Sequence, residues 1–168
     1  MLLFTVQMWV RKDQNKKNQV RIMRKLLIVI DMQNDFIDAA LGTREAMDIV
    51  EAVKEKIRSY PAEDIIVTMD THSENYMDTQ EGRNLPVPHC IKGSEGWQIR
   101  PDIGRLLAVA KVYEKPTFGS KAMAEDLKAL AETEEIELEL IGLCTDICVI
   151  SNALLLKAYL PETPITVD

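Results

Sequence analysis

Lys25-Leu-Leu-Ile-Val-Ile30 is an unbroken apolar run that stops at an acid, Asp31. A strand wetted on one face would alternate apolar and polar residues. A continuous run is what a strand buried on both faces requires, and that burial is typical of parallel sheets covered by helices. Other segments repeat the theme. Asp64-Ile-Ile-Val-Thr-Met69 ends at Asp70, Lys111-Val-Tyr-Glu114 ends at Lys115, and Ile136-Glu-Leu-Glu-Leu-Ile141 runs into Gly142. Pro164-Ile-Thr-Val-Asp168 reads as a fifth strand. Helical patterns lie between them. Glu45 to Tyr60 has apolar residues at Ala46, Ile49, Val50, Val53 and Ile57, with Pro61 just beyond. Pro101 to Ala110, with Pro near its start, Lys121 to Thr133 and Val149 to Tyr159 read likewise. Strands alternating with helices predict an α/β fold: a three-layer, Rossmann-like parallel sheet with helices on both faces. Thr71 to Trp97 is polar and rich in Gly and Pro, so it is expected to be a loop, and a loop of that length is usually functional.

Length and charge narrow the function. A chain of 168 residues suits one domain with a sizeable core. The net charge of −7 hides an asymmetry: residues 1–25 hold seven Lys/Arg against one acid, Asp13, leaving 13 basic and 26 acidic residues and a body near −13. Such a body argues against nucleic acid as a partner. No apolar run approaches the roughly 20 residues that span a bilayer, so no membrane role is expected. Three cysteines and no secretory signal point to a reducing cytoplasm. Met1 to Val10 is apolar, but its basic cluster follows rather than precedes it, the reverse of a signal peptide. Met23 is therefore expected to be a natural start, with 1–22 a disordered or dispensable extension and 23–168 the folded domain.

Open parallel sheets bind ligands at the carboxyl ends of their strands. Asp31, Asp70, Lys115 and the Cys144–Cys148 turn each fall at such an end. Each alone has an ordinary explanation: Asp31 as a helix cap, Lys115 as a solvated lysine, Cys148 as a small buried apolar residue. Together they outline one cleft. Cys148 would sit in the first turn of a helix, where unpaired N–H groups and the dipole lower a thiol pKa. A lysine beside it stabilises a thiolate, and a carboxylate can carry the thiol proton to a leaving amine. The Gly142–Cys148 turn offers amide donors for an oxyanion. This is equipment for acyl transfer from an amide or similar carbonyl. The chain's only histidines, His72 and His89, flank the long loop and, with Asp70, form either a three-ligand metal site or an unrelated pair. Glu81 is the nearest candidate for a fourth ligand, with Glu74 behind it. The donor set suits zinc first, and iron or manganese also.

Asp31-Met-Gln-Asn-Asp-Phe36, Lys115 and Gly142-Leu-Cys-Thr-Asp-Ile-Cys148-Val resemble the isochorismatase-like cysteine hydrolases. Asp70-x-His72 and Pro88-His89-Cys90 resemble the nicotinamidase branch of that family. The resemblance runs from about Met23 to Asp168. It implies a triad with Cys148 as nucleophile, Asp31 as proton carrier and Lys115 as the charge that tunes both. The oxyanion hole would fall on the backbone N–H groups of Cys144 and Cys148, with a cis peptide before Cys144. A divalent metal on Asp70, His72 and His89, with Glu81 as in some members, would orient a pyridine carboxamide over the thiol. Phe36, and less directly Trp97, would wall the pocket. The implied activity is hydrolysis of nicotinamide or a similar small amide to the acid and ammonia, a step of pyridine nucleotide salvage. The family often self-associates, which implies a homo-oligomer. The chain departs from the pattern in carrying Cys144 in place of a small Ala, and in lacking the aromatic residue frequent near His72. It is also expected to lack the family's last helix and strand, which would leave a sheet edge uncovered. A metal-independent hydrolase of another small substrate, and a non-catalytic binding relative, are the alternative readings.

Overall fold

The computed structural model describes residues 23–168, so the expectations for residues 1–22 lie outside the described residues. Five strands, β1 (Arg24–Ile30), β2 (Ile65–Asp70), β3 (Lys111–Lys115), β4 (Ile136–Gly142) and β5 (Ile165–Val167), form one sheet in the order β3-β2-β1-β4-β5. Every pairing is parallel. β1 is central, as its unbroken apolar run requires. Leu27 and Val29 enter the core on one face, while Leu26, Ile28 and Ile30 enter it on the other. All six residues of β2 are buried, whereas β3, at an edge, exposes Lys111, Val112 and Glu114 and turns Tyr113 and Lys115 inward.

Helices cover both faces, as expected. Seven are described: α1 (Asn34–Ile37), α2 (Arg44–Asp48), α3 (Val50–Arg58), α4 (Gln80–Asn84), α5 (Pro101–Gly104), α6 (Lys121–Ala131) and α7 (Ile150–Tyr159). Val50, Val53 and Ile57 of α3 pack with Leu27 and Val29. Met123, Ala124 and Leu127 of α6 and Leu156 of α7 pack with Leu26, Ile28 and Ile30. Each Val, Ile, Leu or Met among them contributes about 1.5–3 kcal/mol on removal from water.

Three expectations need correction. The helix expected over Glu45–Tyr60 is two helices meeting at Ile49, which keeps right-handed helical angles (φ −83°, ψ −12°), so one apolar face continues across the joint. It starts at Arg44 because the Thr43 hydroxyl accepts from the Ala46 amide at 3.1 Å. The helix expected over Pro101–Ala110 stops at Gly104, and tight i→i+3 bonds from Leu106 to Ile103 and from Leu107 to Gly104 carry the chain on. The long loop contains a 3-10 turn, Tyr76–Asp78, and α4, capped by Thr79; both are too short to show a helical period.

The strand order places the site. After β3 the chain crosses to the far side of β1 to form β4, so the order reverses between β1 and β4. A crevice opens there, outside the carboxyl ends. The last residue of β4, Gly142, has φ +124°, and a Cβ would stand 2.1 Å from the Ile30 carbonyl oxygen. Only glycine lets β4 lie that close to β1 and still turn into the Cys144–Cys148 segment.

Candidate active site

Three strand ends and one turn converge on a buried charged group. Asp31, just past β1, is fully buried and has φ +51°, a conformation that turns its side chain out of the strand repeat. Thr68 of β2 donates to its Oδ1 at 2.6 Å. Lys115 is the last residue of β3 rather than the first beyond it, and it is 1% exposed. Its Nζ stands 2.7 Å from Asp31 Oδ2, 3.3 Å from Cys148 Sγ and 3.4 Å from Asp70 Oδ1. So Lys115 is no solvated lysine, and the three residues read from the sequence as a triad are in contact. The Leu143–Cys144 peptide is cis, as the resemblance implied. A single π-type turn, Thr145–Val149, then places Cys148 ahead of α7. Such turns are rare and occur often at functional sites.

The electrostatics correct one expectation. Burial pushes the Cys148 thiol above its ordinary range; Asp31 adds to the rise and Lys115 opposes it. Burial in this closed corner thus works against the lowering expected from the helix start. Burial likewise raises Asp31, against the pull of Lys115 and Thr68. Burial alone would lower Lys115, but Asp31, Asp70 and Cys148 outweigh it and hold the ammonium above its ordinary value. The site therefore carries a charged lysine between a carboxyl group and a thiol that both resist ionisation, an arrangement suited to passing one proton between them.

The second cluster adjoins the first. One ligand atom each from Asp70, His72, Glu81 and His89 lies within 4.8 Å of the others. The two histidines are thus not an unrelated loop pair. Glu81, on α4, joins the cluster, and Glu74 is exposed outside it. His89 Nδ1 lies 2.8 Å from the Val87 carbonyl oxygen, which fixes that nitrogen as the donor and leaves the Nε2 lone pair facing Asp70 and Glu81 at 3.7 and 3.8 Å. His72 Nε2 is 3.0 Å from Asp70 Oδ2, and among the described residues this buried nitrogen has no hydrogen-bond partner of good geometry. A buried polar atom left unpartnered is costly unless something binds it. Two imidazole nitrogens and two carboxylates around one point fit a divalent cation. Cys90, next to His89, points elsewhere: it is fully buried, outside the cluster, and burial pushes its thiol up.

Both clusters border one cleft of about 510 Å³, within the range of small-molecule sites. Phe36, Leu41, Leu85, Phe118 and Ile147 give it apolar walls, and Cys148, Asp70 and His89 are also exposed to it. Phe36 lines this cleft, edge-on to His89 with ring centres 5.6 Å apart. Trp97 is not among the lining residues. Its indole N–H donates to Thr71 Oγ1 at 2.9 Å and its carbonyl accepts from Gln33 Nε2 at 2.8 Å, so it braces the cleft from behind. Sequence reasoning missed three supporting residues. Gln33 grips Asp70 from both sides, accepting from its amide at 2.7 Å and donating to its carbonyl at 2.8 Å. Tyr76 packs on both histidines, with ring centres 4.7 and 5.0 Å away. Asn152 donates to the Cys148 carbonyl at 2.8 Å. Of these, Asn152 carried a signal: it stands four residues after the nucleophile candidate, on the same helix face.

Comparison with known proteins gives the family and the fold. The isochorismatase domain family matches residues 25–161. An uncharacterised isochorismatase family protein, PncA of Bacillus subtilis, is 34% identical over 147 residues, covering 78% of this chain and 77% of its own. The crystal structure of Bacillus subtilis nicotinamidase/pyrazinamidase PncA superposes with a TM-score of 0.72 at 29% identity, over 86% of this chain and 84% of its own. Pyrococcus horikoshii pyrazinamidase in complex with zinc gives a TM-score of 0.63 at 26% identity, over 81% and 79%. N-carbamoylsarcosine amidase of Thermoplasma acidophilum gives 0.65 at 30% identity, over 86% and 81%.

Proposed function

We propose that this chain, which belongs to the isochorismatase-like cysteine hydrolases and within them to the nicotinamidase branch, hydrolyses nicotinamide or a similar small amide to the carboxylic acid and ammonia. The observation that carries this reading is the position of Lys115 Nζ, 2.7 Å from Asp31, 3.3 Å from Cys148 Sγ and 3.4 Å from Asp70 of the four-residue cluster, with Cys148 and that cluster opening on one apolar cleft.

Asp31 takes the Cys148 proton as sulfur attacks the carboxamide carbon, and Lys115 stabilises the charge that moves between them. The Cys144 and Cys148 amides hold the developing oxyanion. Asp31 returns the proton to the departing nitrogen, the C–N bond breaks, and ammonia leaves a thioester on Cys148. Water, deprotonated by Asp31, attacks the thioester; its C–S bond breaks, and the thiol regains a proton. Phe36 and the apolar walls take a flat ring and exclude bulk water. Asp70, His72, Glu81 and His89 would hold a divalent metal, zinc first by the donor set and by the zinc-bound Pyrococcus pyrazinamidase. When bound, it supplies a Lewis-acidic position for a ring nitrogen and so orients the carboxamide. In each step above, this chain's own residues move the protons.

Ammonia release from nicotinamide by the purified protein, with bound metal quantified in the same sample, tests the reading. Release together with about one metal per chain is expected. Metal without release points to another amide as substrate, and neither release nor metal sinks the proposal.

A further inference from the structure

We infer that Asn152 is a positioning residue that holds the nucleophile turn and the opposite cleft wall in register; the inference rests on Cys148 being the nucleophile. Asn152 lies in α7 and is fully buried. Its Nδ2 donates to the Cys148 carbonyl at 2.8 Å and to the Phe118 carbonyl at 3.1 Å, and its Oδ1 accepts from the Ser120 amide at 2.9 Å. One amide therefore ties the residue bearing the thiol to the segment that follows Lys115. That segment matters to substrate: Pro116, Thr117 and Phe118 line the cleft. It also lies close against α7, since a Cβ on Gly119 would come 3.1 Å from Leu155 Cδ2 and 3.3 Å from the Ser151 carbonyl oxygen. Among the described residues, no backbone hydrogen bond joins residues 116–119 to another element, so the Asn152 amide is their polar tie to α7. Two functions are separable within it. The bond to the Cys148 carbonyl sets the π-type turn and so aims Sγ at Lys115, which β3 holds independently. The bonds to Phe118 and Ser120 set the cleft wall and so govern how tightly a ring amide is gripped.

Two variants separate these roles. Asn152→Ala removes all three bonds. Asn152→Thr keeps one, because a threonine hydroxyl can bond the carbonyl four residues back, but it cannot reach the 118–120 segment. The first readout is the pH profile of Cys148 alkylation by iodoacetamide, followed on the Cys148 peptide by mass spectrometry. It needs no substrate. The second is KM against kcat for nicotinamide, with a thermal melt confirming folding. Asn152→Ala should alkylate more slowly near neutral pH and raise KM about tenfold, the net effect of losing both bonds to the 118–120 segment at ordinary strength. Asn152→Thr should recover the alkylation profile and keep the raised KM. Wild-type alkylation and KM in folded Asn152→Ala would overturn the inference, as would an Asn152→Thr that matches Asn152→Ala in both readouts. Where Asn152→Ala fails to fold, a wild-type KM in Asn152→Thr overturns it. If the wild-type protein releases no ammonia, the substrate reading fails while the alkylation comparison still decides the role of Asn152.

Discussion

At the scale of residues, the site works through one buried cation. Lys115 makes two carboxylates and a thiol compatible in a space almost closed to water. Leaving a buried charge without its partner is strongly destabilising, so Lys115 and Asp31 also support each other. Removing the cation should raise the Cys148 thiol further, since Lys115 is what opposes the rise. Lys115→Ala is therefore expected to alkylate at Cys148 more slowly than wild type near pH 7, and an unchanged profile would remove Lys115 from the account. The identities of these residues were legible because chemistry-bearing types stood at four predicted strand ends. The state of the thiol was not, because desolvation depends on how neighbouring segments close around Cys148, and sequence carries no direct measure of that. Trp97 illustrates the same gap: an aromatic residue near a site can line it or brace it, and only its hydrogen bonds to Thr71 and Gln33 decide which.

At the scale of elements, β1, β2 and β4 were readable because burial on both faces removes the polar residues that would otherwise interrupt a strand. β3 was readable in position, but its extension through Lys115 was not, because a lysine rarely ends a buried strand unless it is paired. The short helices and the joint at Ile49 escaped because a segment of one turn shows no period. Gly142 is the element-level keystone. Gly142→Ala would force a Cβ to within 2.1 Å of the Ile30 oxygen at φ +124°, so it should cost about 4 kcal/mol or more. The check is the urea midpoint, which should fall sharply; a shift equivalent to less than about 1 kcal/mol would mean that β1 and β4 can separate at no great cost.

At the scale of the whole molecule, the metal cluster and the β4–α3 face govern stability in different ways. Asp70 ends β2 with His72 two residues beyond it, His89 lies in the long loop and Glu81 on α4, so a cation held by all four would tie the loop to the sheet. A ligand that binds only the folded state raises the melting temperature by mass action. Added zinc should raise the Tm of the wild type and have little effect on His72→Ala; an equal rise in both would place the metal elsewhere. Glu139 of β4 accepts from Lys56 of α3 at 2.6 Å and from the Tyr60 hydroxyl, contacts that together hold its carboxyl below the ordinary value of 4.5. A depressed carboxylate contributes stability that is present above its unfolded value and lost as pH falls through the folded one. Urea midpoints should therefore fall more steeply below about pH 4.5 in wild type than in Glu139→Gln. Parallel curves would show that the contact is too solvent-screened to matter.

The central claim is that Cys148 carries the acyl group. Acid-quenching the protein during turnover of nicotinamide and mapping its cysteine peptides by mass tests this directly. The account predicts an acyl adduct on Cys148 that chases away as substrate is consumed, with none on Cys90 or Cys144, and turnover lower by at least roughly 10⁴-fold in Cys148→Ala. Steady turnover with the adduct on Cys144, or with Cys148→Ala still active, would contradict it.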